Sequence, residues 1–111
     1  MTDRRIVIQK AGDGCSIILH FNFAVEANVY DVSFLPPLQE EGGDWDSLSK
    51  EAQRIVRALT GIDGVSCVVI FDSSKVRVEK VRRRVFNTGT LAEVIKTTLG
   101  VLFEDAKVLV I

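Results

Sequence analysis

The 111-residue chain predicts an α+β domain, a mainly antiparallel sheet of five to six strands with two helices on one face. Three observations carry this expectation. Residues 15–23 and 75–81 alternate apolar with polar side chains, the two-residue period of a half-covered strand. Leu48, Ala52, Ile55, Val56 and Leu59 repeat at helical spacing, as do Leu91, Val94, Ile95, Leu99 and Leu102. From about residue 29 the elements run β-α-β-β-α-β, the order of a ferredoxin-like unit. A β-hairpin over residues 1–26 precedes it, so the chain reads as one domain with a hairpin extension (1–26) and a βαββαβ core (27–111).

Each element has a local reason. Arg5–Gln9 is short and β-branched, and Gly12-Asp13-Gly14 supplies turn chemistry after it. In 15–23, Ile17, Leu19, Phe21 and Phe23 face one way and Ser16, His20 and Asn22 the other, with Ile18 the apolar exception. Val29–Phe34 predicts a third strand with Tyr30, Val32 and Phe34 on one side. Pro36-Pro37 ends it, because proline removes a ladder donor and restrains its predecessor. Residues 35–46 read as a loop rich in Pro, Gly and acids. Asp46 or Ser47 is placed to cap the first helix, and Gly61 suits a left-handed position past its end.

Val65–Phe71 is almost wholly apolar, as in a strand covered on both faces. Asp72-Ser73-Ser74 turns it into Lys75–Val81, a hairpin. Thr90-x-x-Glu93 has the form of a capping box at the start of the second helix, with Gly100 at or near its end. Lys107–Ile111 is a final strand, apolar on both faces and so ill suited to an open sheet edge. The expectation is that the hairpin or a second subunit covers it.

The net charge of −1 conceals a segregation. Between Lys75 and Arg84 stand six bases (Lys75, Arg77, Lys80, Arg82, Arg83, Arg84) against Glu79 alone, whereas Glu26 to Glu51 holds seven acids and only Lys50. Local fields, more than totals, govern phosphate contacts. No apolar run reaches the roughly 20 residues that span a bilayer, and Met1–Arg5 lacks a signal-peptide core, so a cytoplasmic address is expected.

Reactive chemistry is sparse. Cys15, Cys67 and His20 are the only Cys and His residues, fewer than the usual four ligands of a structural metal site. Cys15 and His20 are an odd number of positions apart on one strand and so point to opposite faces. Gly12-Asp13-Gly14 and Gly61-Ile62-Asp63-Gly64 match neither G-x-G-x-x-G nor G-x-x-x-x-G-K-[ST]. The acids at 40, 41, 44 and 46 lack EF-hand spacing. Trp45, set among Glu40, Glu41 and Asp44, is either an anchor on the core or a partner contact, a role in which tryptophan is enriched.

The phrase Leu59-x-x-Ile62-x-Gly64-Val65, after a helix from Ala52 and before a tight hairpin to Lys80, resembles the N-terminal domain of Nfu-type iron–sulfur scaffold proteins. The resemblance implies a ferredoxin-like topology. That family carries its cluster on a C-x-x-C, which this chain lacks. The resemblance therefore implies a place beside iron–sulfur assembly without cluster ligands.

These readings predict a non-enzymatic interaction or adaptor domain. It would act through a protein partner or self-association, using Trp45, Glu40, Glu41, Asp44 and a sheet edge, with a homodimer through that edge. No cofactor, metal or membrane enters this expectation. One alternative is nucleic-acid or polyanion binding through Lys80, Arg82, Arg83 and Arg84, though the 75–81 strand has no aromatic for base stacking. Another is a small-ligand regulatory domain, which needs an apolar pocket at a subunit interface.

Overall fold

Short β-branched segments and tight turns generate the sheet. In the computed structural model, which describes residues 3–26, 31–81 and 88–111, β1 (Arg4–Lys10) and β2 (Ser16–Phe21) form the expected hairpin. The chain continues through β3 (Val32–Phe34), α1 (Gly43–Asp46), α2 (Lys50–Thr60), β4 (Val65–Asp72), β5 (Lys75–Lys80), α3 (Thr88–Leu102) and β6 (Ala106–Val110). The sheet order is β3-β4-β5-β2-β1-β6. All neighbours are antiparallel except β1 and β6, which are parallel. The molecule is thus an α+β fold built on a six-stranded, mainly antiparallel sheet.

One face of the sheet carries the core. Ile6, Ile8, Ile17, Leu19, Val68, Ile70, Val76 and Val78 are buried there against Ala52, Ile55, Val56 and Leu59 of α2 and Leu91, Ala92, Ile95 and Leu99 of α3. Each such Val, Leu or Ile side chain contributes about 1.5–3 kcal/mol by leaving water. The opposite face holds the intervening residues, among them Val7, Ile18, His20 and Arg77, brought side by side by the register Val7↔His20 and Ile18↔Arg77. No described element lies over it, which explains why Ile18 broke the alternation without joining the core.

The spatial order departs from the ferredoxin-like expectation. That topology would set β3 between β5 and β6. Instead β2 and β1 occupy the place, and β3 pairs with the outer side of β4. The pairing explains the choice: β2 matches β5 over five residue pairs with Ile17 against Val78 and Leu19 against Val76, whereas β3 has three residues before Pro36 removes the next donor. Residues 29, 30 and 82–84 of the predicted segments lie outside the described residues.

Helix ends also differ from the sequence reading. Ser49, rather than Asp46 or Ser47, caps α2, its Oγ accepting from the Ala52 N–H at 3.1 Å. Gly61 stays in the right-handed region, and the positive φ of 99° falls on Gly64, which turns the chain into β4. Thr90 lies inside α3, two residues past its start, so it is not the cap, and Gly100 sits within the helix. Residues 43–46, expected as loop, form the single-turn α1, entered through Gly42 at φ 97°.

Candidate functional site at the sheet edges

The two edges of the sheet are built differently. At one end, three-residue β3 runs into Pro36-Pro37 and then the acidic 40–46 segment, devices that blunt an edge. Trp45 belongs to this end as an anchor. It is only 5 % exposed, its ring meets Phe34 edge-on with centroids 6.0 Å apart, and the Arg57 guanidinium lies 5.6 Å from its centre. Gln53 Nε2 donates to the Trp45 carbonyl at 3.0 Å. Glu40 forms an ion pair with Arg57. Glu41 and Asp44 are exposed and, with Leu35 and Leu38, line an open cleft of about 330 Å³ beside the ring. Of the four residues expected to meet a partner, the structure therefore buries Trp45, pairs the exposed Glu40 with Arg57, and leaves Glu41 and Asp44 open to solvent.

At the other end lies β6. Arg4–Ile8 of β1 pairs with Ala106–Val110 in parallel, so the N-terminal hairpin covers one side of the last strand, as expected. The Ile111 N–H donates to the Ile8 carbonyl at 2.9 Å. In a parallel ladder alternate residues face the neighbour. Lys107, Leu109 and Ile111 therefore bond toward β1, and the N–H and C=O groups of Val108 and Val110 point outward. No described strand pairs with them. Val108 and Val110 pack partly on the core, while Leu109 and Ile111, on the uncovered face, are 40 % and 66 % exposed. The sequence signalled that this strand needs cover, but not that only one side receives it.

The remaining candidates are dispersed. Lys80 ends β5 half-buried, and Arg82, Arg83 and Arg84 lie outside the described residues. Lys75 and Arg77 stand on the uncovered face, where the Arg77 guanidinium lies 5.9 Å from the Phe71 ring centre. The aromatic absent from β5 is thus supplied by its neighbour β4. His20 Nε2 shares a hydrogen bond of 2.9 Å with Gln9 Oε1. Burial, and then the nearby Glu79 carboxylate, push the Cys67 thiol above its ordinary pKa, which disfavours the nucleophilic thiolate. Cys15 borders a small polar cleft of about 370 Å³ with Asp13, Ser66 and Glu79. Among the described residues, no three His, Cys, Asp or Glu side chains gather as a metal site, and no helix is long and apolar enough to cross a membrane. Comparison with protein-family models, curated proteins and solved structures finds no match to this chain.

Proposed function

We propose that this protein is a non-enzymatic interaction module that accepts a β-strand on the free edge of β6. The observation that carries this reading is that the N–H and C=O groups of Val108 and Val110 point away from β1 and have no partner strand among the described residues. Strand addition satisfies such groups, and alternate side chains then set specificity. The exposed apolar residues Leu109 and Ile111 supply contact area on the uncovered face. Glu41 and Asp44 give the opposite end a separate acidic surface for a protein partner. The likeness of residues 52–80 to the Nfu-type domain concerns α2, β4 and β5, and on that likeness the module would serve iron–sulfur assembly as an accessory.

A fluorescent peptide of residues 105–111 is the probe. It should bind the wild-type protein and fail to bind Val110→Pro. That substitution deletes an outward N–H and leaves the β1 ladder intact, whereas Leu109→Pro deletes a ladder donor and should destabilise the fold. Equal anisotropy titrations for a folded Val110→Pro and for wild type held at concentrations where it is a monomer would overturn the reading. The polyanion alternative draws on Lys75, Arg77 and Phe71 meeting on one face. It predicts binding of single-stranded oligonucleotide that weakens steeply as salt rises.

A further inference from the structure

Resting on the edge reading above, we infer that the strand taken up by β6 is β6 of a second copy, antiparallel, with the twofold axis at Leu109. Three features select this occupant. First, the hydrogen-bonding pattern is self-complementary. About Leu109, Val108 of one copy meets Val110 of the other, and both present N–H and C=O outward, so two bonded pairs form with four hydrogen bonds. Second, the other edge does not compete. β3 offers three residues and then two prolines, so a β6–β3 contact would bury little and would propagate instead of closing.

Third, the charges agree with this register. Lys107, the one charged residue of β6, falls opposite Ile111 of the partner copy and away from the second Lys107. The exposed acids Glu104 and Asp105 at the foot of β6 come near exposed Lys10 at the head of β1 in the other copy. Leu109 meets its symmetry mate across a non-hydrogen-bonded pair, where Cα atoms approach to about 4.5 Å. The two sheets become one, and the exposed Leu109 is covered by Leu109 of the other copy and Ile111 by the aliphatic stem of that copy's Lys107.

The test combines mass with register. Sedimentation equilibrium of the full chain should give the mass of two copies, and Val110→Pro should return it to one while the circular dichroism spectrum is kept. With oxidised glutathione present, Leu109→Cys should form a cross-linked dimer through position 109, since this spacing suits a disulfide. Lys107→Cys should not, because its mate is Ile111. Mass spectrometry separates these links from any through Cys15 or Cys67. A dimer that cross-links at position 107 and not at 109 overturns the register. A monomer at every concentration that still binds the 105–111 peptide overturns the second copy and leaves the edge reading standing. A monomer that ignores the peptide defeats both.

Discussion

Trp45 shows how burial decides the role of a side chain whose neighbours in sequence are all polar or glycine. Its ring is held from one side by Phe34 at 6.0 Å and from another by the Arg57 guanidinium, and its carbonyl accepts from Gln53. The segment around it, Glu40 to Asp46, has no apolar periodicity, which hid the anchor from a sequence reading: a lone tryptophan has no pattern to belong to. What was legible was that such a residue must be an anchor or a contact, and the 5 % exposure chooses the former. Trp45→Ala should therefore lower stability by about 3–5 kcal/mol, as truncation of a buried aromatic does. Urea denaturation measures this directly, and an unchanged midpoint would return Trp45 to the surface.

At the level of elements, both hairpins are closed by an aspartate that accepts backbone N–H groups from the residues just after it. Asp13 accepts from the Cys15 and Ser16 N–H groups at 2.8 and 2.9 Å, and Asp72 from the Ser74 N–H at 3.2 Å. Such turns mimic a backbone hydrogen bond with a carboxylate. In each case the bond to the backbone N–H is the largest cause that holds the carboxyl below its ordinary pKa. A depressed folded-state value means that the stabilisation is complete above the unfolded pKa of about 3.9 and is lost as pH falls through the folded value. Asp13→Ala should thus melt below wild type at pH 7, and the gap should close at pH values under about 4. A gap that persists unchanged in acid would mean that the carboxylate charge is not what closes the turn. These turns were legible because Gly-Asp-Gly and Asp-Ser-Ser carry their chemistry locally. The cap of α2 was missed because Asp46, Ser47 and Ser49 are all competent. Ser49 is selected by tertiary contacts, its N–H donating to Glu26 at 2.6 Å and its Oγ to the Val25 carbonyl at 2.8 Å.

Across the whole molecule, strands were readable one by one, but their lateral order was not. Alternation reports which face of a strand is wet, and nothing in it names the neighbour. The hairpin therefore looked like an appendage, whereas β2 and β1 are the centre of the sheet and join β5 to β6. This closure brings residues near both ends of the described chain together, with Ile6 beside Val108 and Ile8 beside Val110. It also leaves β6 as the place where the sheet can grow. If two copies join there and separate on unfolding, mass action links thermal stability to concentration. A two-chain unfolding unit of this size, at about 2.1 cal/mol/K per residue, should gain about 3 °C in Tm for each tenfold rise in protein. The increment should vanish in Val110→Pro, whose Tm should match the dilute limit of the wild type because its own ladder to β1 is complete. Differential scanning calorimetry over a hundredfold concentration range reads both slopes, and a flat wild-type line would show that β6 meets no second copy at those concentrations.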